Sequence, residues 1–121
     1  MKLLNLSNDV KIESFHKYST EEHIVGKWID GSDLYEKTIS ASVAKADDQN
    51  IGSLDYTTLI SITGFFSSSG SYYPINTTFS NTSYRLVYAK NGAIYISSTG
   101  VGNVQLTIRY TKWYLYYYLY F

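Results

Sequence analysis

From His23 onward the chain reads as a series of short runs separated by turn residues. Ile24-Val25-Gly26-Lys27-Trp28-Ile29 is apolar-rich, Asp30-Gly31-Ser32-Asp33 is polar, and Leu34-Tyr35-Glu36-Lys37-Thr38-Ile39 alternates again. Asp-Gly between two such runs predicts a β-hairpin. Trp28, inside the first apolar run, is assigned to the core. Residues 41–55 are polar and broken by Gly52, which predicts a loop carrying at most one short helical turn. Residues 56–66, with Thr, Ile and Leu, predict a buried strand, and the Ser/Gly stretch 67–71 a flexible turn. Pro74 places Tyr72-Tyr73-Pro74-Ile75-Asn76 at a strand start or a sheet edge, because proline has no N–H to give a central ladder.

The C-terminal half is patterned most clearly. Tyr84-Arg85-Leu86-Val87-Tyr88-Ala89, then Lys90-Asn91-Gly92, then Ala93-Ile94-Tyr95-Ile96-Ser97 is a hairpin with the Asn-Gly turn that primed geometry demands. Gly100-Val101-Gly102-Asn103 reverses the chain once more. In the run that follows, Val104, Leu106, Ile108 and Tyr110 share one face, with Gln105, Thr107 and Arg109 on the other. Many short strands at this spacing predict an all-β fold, an antiparallel β-sandwich of jelly-roll-like type.

The last nine residues, WYLYYYLYF, break the alternation. Through Tyr110 the even positions are apolar; beyond Lys112 the odd row Trp113, Leu115, Tyr117, Leu119, Phe121 is the more apolar, and the even positions are all tyrosine. A slip of one residue exchanges the two faces of a strand, so a bulge or a new element is expected between Thr111 and Trp113. The segment is far shorter than the ~20 apolar residues of a membrane-spanning helix. Left exposed it is an uncharged, proline-free aggregation hazard. We therefore assign Trp113, Leu115, Tyr117, Leu119 and Phe121 to an interface between copies of the chain. The organisation expected is a lead-in over 1–17, a β-sandwich over 18–112 and an aromatic tail over 113–121.

Composition narrows the chemistry. Ten basic and ten acidic residues balance in a chain of 121, which is one domain's length, and no basic stripe marks a nucleic-acid partner. There is no cysteine, which excludes disulfides, thiolate metal sites and cysteine nucleophiles. The opening residues reach Asn5 and Asn8-Asp9 too soon to form a signal-peptide core. His16 and His23 lie near Glu13, Glu21 and Glu22, but at no spacing that matches a metal-ligand frame, and they read as solvated residues flanking a strand. Asp47-Asp48-Gln49-Asn50-Ile51-Gly52 echoes a calcium loop, but isoleucine stands at the fifth position and no glutamate at the twelfth. The serines around 67–71 lack both a G-x-S-x-G context and a base. No catalytic residue, metal or cofactor is assigned. For ligand binding, Tyr72 and Tyr73 beside the Ser/Gly loop, with Asn76 and Asn81 nearby, have the apolar faces and polar groups of a saccharide platform.

The stretch Tyr18-Ser-Thr-Glu-Glu-His-Ile-Val-Gly-Lys-Trp-Ile-Asp-Gly-Ser-Asp-Leu-Tyr-Glu-Lys-Thr-Ile39 resembles a segment of tail-fibre and baseplate-associated structural proteins of phages and prophages of Gram-positive and gut bacteria. Tyr72-Tyr73-Pro74-Ile75-Asn76 and Leu106-Thr-Ile-Arg-Tyr-Thr-Lys112 are similar to later parts of that family, and the likeness ends at Lys112, where the aromatic tail replaces a short polar ending. The resemblance implies a non-enzymatic C-terminal β-domain in the virion, made in the bacterial cytoplasm, often trimeric and placed where a tail meets the host surface. On this reading the partner is a cell-wall polysaccharide bound by an oligomer, a trimer by preference, with neither nucleic acid nor membrane. A decoration domain that binds only protein is the alternative. A glycan-degrading enzyme would need two opposed carboxylates about 5–9.5 Å apart, whereas the acids here cluster in turns and in the lead-in.

Overall fold

The computed structural model describes residues 16–80 and 83–112. Those residues form strands β1 (His23–Lys27), β2 (Asp33–Val43), β3 (Ala46–Ser53), β4 (Thr58–Ser68), β5 (Ser71–Pro74), β6 (Thr77–Ser80), β7 (Ser83–Lys90), β8 (Ala93–Ser98) and β9 (Gly102–Thr111). They assemble into a five-stranded sheet, β1-β2-β9-β4-β5, and a four-stranded sheet, β3-β8-β7-β6. The pairings are antiparallel, and the two sheets face each other as a sandwich. Placing β9 between β2 and β4, and β8 beside β3, is the interleaved wiring of a Greek key; β4–β5 and β7–β8 are plain hairpins.

Alternation decides which side chains meet between the sheets. Val104, Leu106, Ile108 and Tyr110 of β9 are at most 1% exposed and pack with Val43, Leu54, Phe66, Val87, Ile94 and Ile96. Fully burying an aliphatic or aromatic side chain of this size contributes roughly 1.5–3 kcal/mol, so the β9 row is the spine of the core. Two turns work through positive φ: Asn91 (50°) with Gly92 (77°) joins β7 to β8, and Ser69 (50°) with Gly70 (82°) joins β4 to β5. At Gly64 (φ 149°) an added Cβ would stand 2.0 Å from the Gln105 carbonyl oxygen, so only glycine lets β4 and β9 approach this closely.

Two expectations are corrected. Residues 41–55 are not a loop with a helical turn: β2 runs to Val43, β3 fills Ala46–Ser53, and no helix occurs among the described residues. The stretch is polar because β3 is an edge strand. Its ladder is interrupted by register shifts between Ala46 and Gln49 and between Asn50 and Gly52. Trp28 is not in the core but sits half-buried in the turn after β1, where its backbone bonds Ser32 and Gly31 at 2.9 Å. β9 ends at Thr111 and Lys112 lies outside the strand, while the shifted apolar row expected from Trp113 onward lies outside the described residues.

Candidate functional site

The inward row of β9 fixes its outward row, and with it the outer face of the larger sheet. Register sets Ser42 opposite Asn103, Ser40 opposite Gln105, Thr38 opposite Thr107 and Glu36 opposite Arg109. On the other flank, β4 brings Ser67, Phe65, Thr63 and Ser61 against the same four positions of β9. The result is a field of hydroxyls and amides on a twisted sheet. Its side-chain bonds are long: Ser42 Oγ to Asn103 Oδ1 and Gln105 Nε2 to Ser40 Oγ are both 3.4 Å. Thr38 and Thr107 share a bond of 3.0 Å. Groups held this loosely remain free to bond a ligand.

Two depressions lie on this field. A groove of about 400 Å³ is lined by Ser40, Ser42, Phe65, Ser67, Asn103 and Gln105, together with Ala41 and Val104. A second cavity, about 250 Å³, is lined by Tyr18, Ser61, Thr63, Thr107 and Arg109. An aromatic side chain stands at each. Beside the groove, Phe65 meets Tyr72 edge to face, with ring centroids 5.4 Å apart, and Tyr72 is 71% exposed. At the cavity, Tyr18 is 64% exposed and packs edge-on against His16 at 4.4 Å.

Beneath the cavity is a charged cluster. Glu36 is fully buried although it points outward from β2, because His16, His23 and Arg109 cover it. Arg109 Nε donates to Glu36 Oε2 at 2.9 Å. Oε1 lies 2.8 Å from His16 Nε2 and 3.6 Å from His23 Nε2, without the alignment of a hydrogen bond, so Arg109 is the carboxylate's firm partner. His16, inside the segment assigned to a lead-in, thus rests on the domain. A neighbouring tie involves Glu22, which accepts from the Tyr110 hydroxyl and, at 2.8 Å, from Lys112 Nζ. Burial alone would raise the Glu22 pKa, but the bonds from Lys112 and Tyr110 and the Lys112 charge outweigh it and hold the carboxyl below its usual range. Burial, and then the Glu22 bond, push the Tyr110 phenol well up. Among the described residues no group of three or more His, Asp or Glu side chains is arranged to hold a metal ion.

The three described residues of the expected platform, Tyr72, Tyr73 and Asn76, are not brought to one surface. Tyr72 points out, whereas Tyr73 turns inward against Phe66 (6.4 Å) and the Arg85 guanidinium (5.3 Å). Asn76, at φ 59°, accepts from Val87 N at 2.6 Å and acts as a backbone brace. Asn81 lies outside the described residues, as do Trp113, Leu115, Tyr117, Leu119 and Phe121. The residues that sequence reading missed are Ser40, Ser42, Phe65, Asn103 and Gln105. Gln105 was read as plain solvent face, Ser42 as loop and Asn103 as turn, and the register that sets them and Phe65 side by side carries no local signal. Comparison with protein-family models, curated proteins and solved structures finds no match to this chain.

Proposed function

We propose that this chain is a non-enzymatic, saccharide-binding domain of a phage tail component, contacting the host surface as an oligomer, a trimer by preference. The observation that carries the reading is the groove beside Phe65 and Tyr72: uncharged hydroxyl and amide groups on a sheet floor, with half-buried Phe65 in its lining and exposed Tyr72 packed edge to face on that ring. A sugar ring presents an apolar face and a girdle of hydroxyls, and this surface offers a partner for each. The resemblance of Tyr18–Ile39 to phage-tail proteins supplies the setting. No carboxylate lines the groove or the neighbouring cavity, which supports binding over hydrolysis. Weak contacts at each copy would be multiplied by linked copies in the virion.

The test is binding to purified cell-wall polysaccharide by the whole chain and by Asn103→Ala, which removes an amide from the groove floor. Binding by the parent that weakens severalfold in the variant supports the reading. Binding that ignores the substitution moves the site elsewhere. If no polysaccharide binds at all, the decoration domain that contacts only protein takes its place.

A further inference from the structure

The two depressions of the outer face differ in one respect. The groove is lined by uncharged side chains only, while the cavity beside Tyr18 adds one charged group, Arg109. Both follow β9, whose outward row runs Asn103, Gln105, Thr107, Arg109. At ~3.4 Å per residue that row is roughly 20 Å long, more than one sugar ring can cover. A ligand engaging both depressions is therefore a chain of rings.

Arg109 is also built in rather than loose. Its Nε is held from behind by the buried Glu36 carboxylate at 2.9 Å, while 41% of the side chain stays exposed. A guanidinium has five N–H donors in a fixed plane. Among the described residues its one hydrogen bond is that to Glu36. Pinned in this way, the fork keeps its remaining donors available at little entropic cost, and it suits the paired oxygens of a carboxylate or phosphate. No acidic side chain lines the cavity, and the Glu36 carboxylate beneath it is covered and already paired, so an incoming anion meets no like charge in the lining.

Resting on the saccharide reading above, we propose that the cavity lined by Tyr18, Ser61, Thr63, Thr107 and Arg109 is a subsite for an anionic substituent. The ligand is then a linear saccharide bearing carboxylate or phosphate groups, laid along β9 with its charge at Arg109.

Calorimetric titration of the full chain with three oligosaccharides of matched length tests this: a neutral glucan, a uronic-acid oligosaccharide and a phosphodiester-linked hexose oligomer. The expected result is roughly tenfold tighter binding of an anionic probe than of the neutral one at low salt. That advantage should vanish in about 1 M salt, where the Debye length is ~3 Å. Whichever anionic probe wins identifies carboxylate or phosphate as the source. Arg109→Gln should abolish the advantage. Because that variant strands the Glu36 carboxylate and can unfold, Thr63→Asp serves as the second: it adds a negative charge at an exposed position of the cavity without touching the ion pair. Equal affinity for all three probes, or an advantage that survives Thr63→Asp, overturns the subsite. Failure of all three probes to bind is a separate result that removes the saccharide reading itself.

Discussion

Glu36 and Arg109 face each other across β2 and β9, and the carboxylate of one, wholly out of solvent, anchors the guanidinium of the other at 2.9 Å. The two ends of this pair are unequal. Arg109 keeps 41% of its side chain exposed and reaches water without Glu36, whereas Glu36 has no such escape.

That inequality sets the first prediction. Arg109→Ala leaves a buried charge uncompensated and should cost about 3–5 kcal/mol of stability. Glu36→Gln leaves only a partly exposed cation and should cost at least ~1 kcal/mol less. Urea denaturation of both variants at neutral pH decides; equal losses would mean that the carboxylate is not confined as described.

A second prediction concerns alkaline and acid stability. Tyr88 donates its hydroxyl to Asp48, and that bond, helped by burial and the Asp48 charge, pushes its phenol from 10.0 to about 12. Tyr110 is also raised, by burial and by Glu22. Above pH 10 the unfolded chain loses phenolic protons that the native Tyr88 and Tyr110 retain, so stability present below that pH should decline toward pH 12. Asp48→Asn should flatten this decline and bring one tyrosine back toward ordinary titration by ultraviolet difference absorbance. At the acid end, Glu22 contributes stability above the carboxyl range that is lost as pH falls through its lowered native value, and Glu22→Gln should remove that part of the curve.

The adjacent tyrosines of β5 should respond in opposite ways. Tyr73 packs on Phe66 and under Arg85, so Tyr73→Ala should cost about 2–4 kcal/mol. Tyr72 stands outside against Phe65, so Tyr72→Ala should cost no more than about 1 kcal/mol while weakening polysaccharide binding. Thermal melts and binding isotherms on the two variants separate these roles.

Gly64→Ala tests the close approach of β4 and β9. A methyl group 2.0 Å from the Gln105 carbonyl oxygen, at φ 149°, cannot be relieved by turning a side chain. A loss of at least ~2 kcal/mol is expected by chemical denaturation.

The apolar ending is tested by truncation. On the reading that the uncharged aromatic row joins copies of the chain, deleting residues 113–121 should lower the mass measured by light scattering. An unchanged mass would leave that row without a role in assembly.

The sequence made some of this architecture readable and hid the rest for physical reasons. The Asn91-Gly92 and Ser69-Gly70 turns were legible because positive φ demands particular residues. The β9 face was legible because period-two alternation is how a half-buried strand is written. Residues 46–53 were not, because an edge strand that draws its hydrogen bonds from Ala93–Ser98 needs no apolar run of its own. The Glu36 cluster was hidden because its members are far apart along the chain: Arg109 is 73 residues from Glu36, and neither His16 nor His23 carries a local signature of its partner. The groove was half legible: alternation marked Gln105 as outward, but Ser42 fell in an expected loop and Ser67 and Asn103 in expected turns, and only the register of β2, β9 and β4 joins them into one surface.

Glu22 and Lys112 lie near the two ends of the described fold, yet their charged atoms are 2.8 Å apart. The two ends of the described fold are thereby neighbours, which is the geometry that lets a unit be transplanted into a surface loop of an unrelated carrier without opening its sheets. Grafted between short spacers, the described fold is expected to display the Phe65–Tyr72 face from a foreign scaffold.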